Sequence, residues 1–304
     1  GHPMKTTSHT PQRLRLSYRA PWDWQQFHEH FALRSLAGVE CLSPRRYARS
    51  VRLGEDRGWF SVAPLDDSAE LELELHLPAN HAETLTARVR KMFDLDSDPA
   101  HIAGHLGNDP LLGPLIRHTP GLRLPTAFDP FEQAVRAIVG QQVTVKAAVT
   151  IVGRLVQRLG EPLPGDVPGQ PTRLFPTPQA LAGADLAGIG MPGKRVETLQ
   201  RFAAACASGA LALHVDDGAD DLVKRLCALP GIGPWTAEYV ALRAFGDPDA
   251  FPTADLGLLK SPVWGADGIA ARDLQRRAEA WRPWRAYAAV YLWHAYSQSG
   301  RTGG

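Results

Sequence analysis

The chain has 304 residues, 44% of them hydrophobic and 21% charged, which is the composition of an ordinary globular protein with room for two or three domains. Its formal net charge is +1, with 14 Lys+Arg against 15 Asp+Glu in residues 1–120 and 19 against 17 in residues 121–304. That balance excludes a domain-wide basic field, so any polyanion must be held by local placement of charge. Cys41, Cys206 and Cys227 lack the spacing of a zinc site, an iron–sulfur cluster or a disulfide framework, and they fit a reducing compartment.

Residues 1–12 read as a tail outside the fold, with Gly1–Pro3 a vector-derived remnant ahead of Met4. The start lacks the apolar segment of a signal peptide and no window is apolar enough to span a membrane, so a cytoplasmic protein is expected. From Leu14 to about Pro78 the hydrophobic period is mostly two. LRLSYRA alternates, YARSVRLGEDRGWFSVAPL forms a hairpin turning at Gly54–Gly58, and ELELELHL (70–77) has one apolar and one acidic face. The acidic face is expected to point to solvent. Helices are predicted over 21–36 and 82–93, giving a small antiparallel sheet domain at 13–94.

After about residue 95 the period becomes helical and stays so. Residues 129–160 predict one or two helices, and 162–178 a Pro/Gly-rich loop. TPQALAGADLAGIG, GKRVETLQRFAAACASG and DDLVKRLCALP predict three more. PWTAEYVALRAFG, ADLGLLKS, ARDLQRRAEAW and WRAYAAVYLWHAYS complete an all-helical second part at 95–304. The expected fold class is α+β: a small sheet domain followed by a two-lobed helical body.

The stretch with the most chemical content is 226–255, LCALPGIGPWTAEYVALRAFGDPDAFPTAD. Leu222, Leu226 and Leu229 share one face of the helix before the turn, and Pro234 sits where the next helix should start. Gly231 and Gly233 leave bare backbone at a helix N-terminus, which is how N–H groups are offered to a phosphate. By geometry alone an ordinary αα-corner is the blander reading. Asp255 precedes LGLLK and would by itself be a helix N-cap. Gly188, Gly190 and Gly193 spell G-x-G-x-x-G, but a helical segment rather than a strand precedes them and Pro192 interrupts, so a dinucleotide site is rejected.

L-P-G-I-G-P-W-T-A-E-Y followed by Asp255 resembles the helix–hairpin–helix/GPD superfamily of DNA glycosylases. YARSVRL, FDLDSDP, PGLRLPTAFDPFEQAVRAIVGQQV, FPTPQALA, GMPGKR and WRPWRAYAAVYLW are similar to the AlkA-type 3-methyladenine DNA glycosylases, from about residue 15 to 297. The resemblance implies excision of alkylated bases, of the 3-methyladenine and 7-methylguanine kind, from double-stranded DNA in base excision repair. It implies that Asp255 stabilises the sugar cation, that Trp293, Trp235 and Tyr239 line the base pocket, and that Gln142, beside Gln141, stands at the wedge position. The best-known relative carries an apolar residue there and this chain a polar one; a pair of solvated glutamines is the equally weighted alternative. Leu229, Pro230, Gly231, Ile232, Gly233 and Thr236 would form the phosphate-binding hairpin. Lys194 and Arg195 would form a second backbone contact or a solvated surface.

Strand-cutting relatives carry a Schiff-base lysine near the start of the helix after the hairpin. Here that place holds Trp235 and Thr236, so a monofunctional, monomeric hydrolase is expected. Nothing indicates an organic cofactor or a catalytic metal; in the family the hairpin carbonyls often hold a monovalent cation. Two alternatives stay open at this point: a glycosylase for oxidised, deaminated or mismatched bases, and a non-catalytic DNA-structure binder that keeps the hairpin.

Overall fold

A computed structural model describes residues 10–165 and 167–300. The expected tail at 1–12 lies almost wholly outside them, and the first strand already begins at Gln12. Five antiparallel strands, β1 (Gln12–Ser17), β2 (Glu40–Ser43), β3 (Arg46–Leu53), β4 (Asp56–Pro64) and β5 (Glu70–His76), form one sheet in the order β1-β5-β4-β3-β2. Helices α1 (Trp24–Leu33) and α2 (Ala82–Met92) cover one face. The alternation of β5 delivers Leu71, Leu73 and Leu75 to that core, where they meet Phe27, Phe60, Leu85 and Phe93. Helix α1 is shorter than the expected 21–36 because Asp23 caps it, accepting a hydrogen bond from Gln25 N.

The acidic face of β5 is a partial surprise. This strand lies inside the sheet, and Glu70, Glu72 and Glu74 are half-buried rather than fully in solvent. The register sets Arg13 against Glu74 and Arg15 against Glu72, with ion pairs from Arg13 to Glu74 at 3.4 Å and from Arg15 to Glu70 at 3.5 Å. The neighbouring strand thus supplies the countercharge that sequence alternation in β5 alone does not reveal.

The helical body follows: α3 (Pro99–Leu106), α4 (Leu112–His118), α5 (Pro130–Val139), α6 (Val145–Leu159), α7 (Pro178–Ala182), α8 (Gly193–Ser208), α9 (Ala219–Cys227), α10 (Pro234–Phe245), α11 (Leu256–Leu259), α12 (Ala271–Ala278) and α13 (Arg285–Gln298). Residues 129–160 make two helices, because the chain breaks at Gly140–Val143 and restarts with Thr144 as N-cap. TPQALAGADLAGIG yields only the five-residue α7, since Gly183 ends it and turns follow. Helix α13 is apolar nearly all round over Ala286–Trp293 and is buried at the centre of the body, whereas α5 buries an apolar face and carries Glu132 and Arg136 on another.

The sheet docks on this body through its second face. Strand β3 is buried on both sides over Tyr47–Val51. Arg49 pairs with Glu132 of α5 at 2.7 Å, and Arg136 of α5 reaches Glu40 at 2.9 Å and Glu132 at 3.0 Å. Arg136 Nη1 also donates to the Arg34 carbonyl at 2.6 Å, and Tyr47 donates to Glu40 at 2.6 Å. Each charge in this buried network has an opposite partner, the condition under which burial is tolerated.

Burial pushes the Glu132 carboxyl up, but the Arg49 and Arg136 guanidiniums pull it down further, to about 2. A carboxyl depressed in this way contributes stability above its unfolded pKa, roughly 4.3, and loses that contribution as pH falls toward the folded value. Glu132→Gln should therefore cost about 3–5 kcal/mol at neutral pH by leaving buried guanidiniums undercompensated. Urea unfolding should also show a shallower acid loss of stability in the variant than in the parent between those two pKa values; parallel acid profiles would show that Glu132 is not the group responsible.

Candidate active site

Three segments converge on one cleft of 620 Å³. Helix α5 and the turn after it supply Ala137, Gly140 and Gln142; the start of α6 supplies an apolar wall through Val145, Ala148 and Val149; α10 and the start of α11 with its N-cap supply Trp235, Tyr239, Asp255 and Leu256. Arg34, at the C-cap of α1, and Arg136 complete the lining from the side of the sheet.

Asp255 is 6% exposed and does two jobs at once. It is the N-cap of α11, accepting from Leu258 N at 3.2 Å, as its place before LGLLK suggests. It also accepts from the indole of Trp293 at 2.7 Å and from that of Trp235 at 3.3 Å. Burial raises its carboxyl above the ordinary value, while the Trp293, Leu258 and Trp235 bonds work the other way, since each favours the charged form. A carboxylate is thereby held desolvated at the floor of a cleft, where its field is poorly screened.

The aromatic residues divide into two groups. Trp235 and Tyr239, one turn apart on α10, stack with ring centroids 5.4 Å apart and line the cleft. Trp293, expected against a base, is 5% exposed and lies behind the carboxylate rather than among the cleft-lining side chains. It meets Tyr239 edge-on at 6.2 Å, and the Arg243 guanidinium stands 4.7 Å from its ring. Its position on a helix buried all round pulls it into the core, and its N–H is used to hold Asp255. Gly257 permits this closeness: a Cβ there would come within 2.9 Å of the Trp293 ring.

The two glutamines also part company. Gln142 is exposed at the cleft rim with φ +59, a left-handed conformation that a non-glycine residue adopts at a strained turn. Gln141 instead donates to the Thr236 hydroxyl at 2.8 Å, which ties the turn to α10. Gln141 therefore braces the turn against α10. Thr236, expected among the phosphate contacts, is 3% exposed and its side chain is spent on this brace.

At the hairpin, Pro230, Gly231, Gly233 and Pro234 are exposed while Ile232 is buried as the anchor and Leu229 is half-buried. Gly231 has φ +93, and a Cβ on it would strike the Thr198 hydroxyl at 2.0 Å, so glycine is required twice over. Gly233 caps α10 without a side-chain bond, which leaves the first-turn N–H groups of Trp235 and Thr236 uncapped by any side chain. Lys194 lies exposed one turn before Thr198 on α8, and Arg201 of the same helix donates to the Pro230 carbonyl at 3.1 Å. Arg195 is half-buried in that first turn. The backbone carbonyls of Leu229, Pro230 and Gly231 all accept hydrogen bonds, from Ile232, Arg201 and Gln141 respectively. Each of these carbonyl oxygens keeps a second lone pair beyond the bond it accepts. Gly188 and Gly190 sit in turns with positive φ and no strand before them, in keeping with rejection of a dinucleotide loop.

A uncapped helix start beside cationic side chains, next to a cleft with a buried carboxylate and stacked aromatics, is the layout of a protein that holds a nucleic-acid strand and works on one of its bases. The chain matches the model of the AlkA N-terminal domain over residues 13–129 and that of the HhH-GPD superfamily base excision DNA repair proteins over residues 135–284. It belongs to the HhH-GPD superfamily of base excision DNA repair proteins, in its AlkA-type form. It is 39% identical over 286 residues to DNA-3-methyladenine glycosylase 2 of Escherichia coli, covering 92% of this chain and 96% of that protein. It is 40% identical over 282 residues to a probable bifunctional transcriptional activator/DNA repair enzyme AlkA of Mycobacterium tuberculosis, of which it spans 56% of the length while 92% of this chain is matched. Among solved structures, a 3-methyladenine DNA-glycosylase from Archaeoglobus fulgidus shares the fold, with a TM-score of 0.79, 21% identity and coverage of 94% and 98% of the two chains.

Sequence reasoning missed Arg34, Arg136 and Leu256. Leu256 is apolar yet 61% exposed at the cleft rim, and only its place directly after Asp255 could have flagged it. Because the Trp293 bond favours the ionised Asp255, Trp293→Phe should move the carboxyl pKa further up. Carboxyl-detected NMR titration of the variant checks this, and an unmoved pKa would show that the bond does not set the charge state.

Proposed function

We propose that this chain is a monofunctional DNA glycosylase that hydrolyses the N-glycosidic bond of alkylated bases in double-stranded DNA, of the 3-methyladenine and 7-methylguanine type, as a monomer in base excision repair. The observation that carries the reading is the Asp255 carboxylate at the floor of an aromatic-walled cleft, held by two indole N–H groups. The residues 13–94 act in this reading as a support that shapes the cleft, and residues 95–304 as the body that grips DNA.

The chemistry follows from the charge of the substrate. A base alkylated on a ring nitrogen is cationic, so it departs as a neutral molecule and needs no proton donor. Departure leaves positive charge on the deoxyribose, and a nearby desolvated carboxylate stabilises that charge without reorganising. Water then adds its oxygen to C1′ and releases a proton, with Asp255 placed to orient it. The base must first leave the stack. Trp235 and Tyr239 offer π-faces to it, worth about 0.5–2 kcal/mol per contact with a cationic ring. Gln142, at the strained rim turn, is placed to enter the gap left in the duplex, and Leu256 stands at the same rim. The hairpin with Lys194 would grip the phosphates, giving a salt-dependent affinity despite the near-neutral total charge.

No lysine is among the cleft-lining side chains, which supports hydrolysis rather than an imine to the sugar. Asp255→Asn should keep duplex binding and lose base release by roughly 100- to 1000-fold, scored as free bases liberated from methylated DNA; undiminished release would discredit the assignment. Borohydride should trap no covalent adduct with DNA. Gln142→Ala should weaken binding to damaged duplex more than to single strands, and equal losses would argue against a plug.

A further inference from the structure

The loop of residues 246–254 leads from α10 to Asp255, so it decides where the carboxylate stands. Helix α13 holds this segment at two places. At the first turn of the helix, Arg285 Nε donates to the Asp249 carbonyl at 2.9 Å and to the Asp249 carboxylate at 3.1 Å. The Ala286 N–H beside it donates to the Pro248 carbonyl at 2.9 Å. Arg282, just ahead of the helix, donates to the other Asp249 carboxylate oxygen at 2.5 Å. About two turns further along the same helix, the Trp293 indole holds Asp255 itself at 2.7 Å. Between these anchors Ala250 and Phe251 are buried, Phe251 edge-on to Trp281 at 5.9 Å, and the Asp255 N–H closes a turn onto the Pro252 carbonyl at 2.9 Å.

Resting on the base-excision reading, we propose that Asp249 is a positioning residue, which through Arg285 and Arg282 fixes the register of the loop on α13 and with it the place of the Asp255 carboxylate. From Arg285 to Trp293 a helix rises roughly 12 Å, a span that does not stretch. The link from Asp249 to Asp255 could reach roughly 20 Å if extended, so its length alone leaves the carboxylate free to shift. Tying both ends of the link to one helix removes that slack. The Asp249 carboxylate also brings negative charge to the start of α13, which has no acidic residue in its own first turn. The pair with Arg282 is partly solvated, with the side chains 26% and 46% exposed, and such pairs contribute little to global stability. What the clamp supplies is alignment, since charge-assisted bonds to a guanidinium fork are directional.

The test compares the parent protein with Asp249→Ala, Asp249→Asn, Trp293→Phe and the variant carrying both Asp249→Ala and Trp293→Phe. Single-turnover release of bases from methylated duplex, with protein in excess, gives the rate at the site, and duplex affinity is measured separately. The Trp293 indole N–H resonance, assigned by its loss in Trp293→Phe, reports the bond to Asp255. Asp249→Ala should slow release about 10- to 100-fold, keep duplex affinity and shift the Trp293 resonance. Asp249→Asn should fall between it and the parent, because it keeps an acceptor but not the charge. In the Trp293→Phe background, Asp249→Ala should cost less than it does alone, since the far anchor is already gone. Partial unfolding would instead reduce the competent fraction and leave the rate of the folded molecules unchanged. An unchanged release rate, or slower release with the Trp293 resonance unmoved and the two losses additive, would overturn the positioning role. A parent that releases no base would overturn the excision reading instead, and the Trp293 resonance in Asp249→Ala would still decide whether Asp249 sets the loop.

Discussion

The structure depends on keeping one carboxylate charged in a place that disfavours charge. Asp255 is nearly out of solvent, and an isolated carboxylate there would simply take up a proton. Among its N–H donors, those of Trp293, the Leu258 backbone and Trp235 favour the ionised form. Each donor comes from a different element, α13, α10 and α11, so the charge can be held only after the helical body has assembled. The burial that leaves the carboxylate poorly screened is the same burial that makes it expensive to hold.

A second buried electrostatic unit fixes the geometry around the first. Glu132 and Arg136 on α5 face away from the apolar contacts of that helix and meet Arg49 and Glu40 from the sheet. Because a half-satisfied ionic cluster would be costly, the relative position of sheet and body is set to within the length of a hydrogen bond. That docking brings the end of α1, and with it Arg34, to the wall of the cleft. The sheet therefore contributes to the site as well as to the fold.

The sequence made much of this legible. ELELELHL, the hairpin around Gly54 and the change of period near residue 95 identify an α+β fold, since periodicity reports which faces are buried. LPGIG with Pro234 marks a helix start with bare backbone, and Asp255 stands out by its place before a short apolar run. Elements that depended on local stops were read less well. The α5–α6 break lies at Gly140–Val143, where a continuous apolar period masks a turn, and α7 stops at Gly183 because nothing beyond it packs helically.

Residue types and spacing by themselves determined the periodicity of each element, the bare backbone at Gly231 and Gly233 and the place of Asp255 before a short apolar run. These are local properties, carried by backbone sterics and side-chain alternation. Tertiary structure alone decided that Trp293 serves Asp255 from behind instead of lining the cleft, that Gln141 braces Thr236 while Gln142 stands free at the rim, and that Arg34 belongs to the cleft at all. Each of these assignments compares neighbours distant along the chain, and no period or motif within one segment encodes which of two adjacent side chains a remote helix will meet.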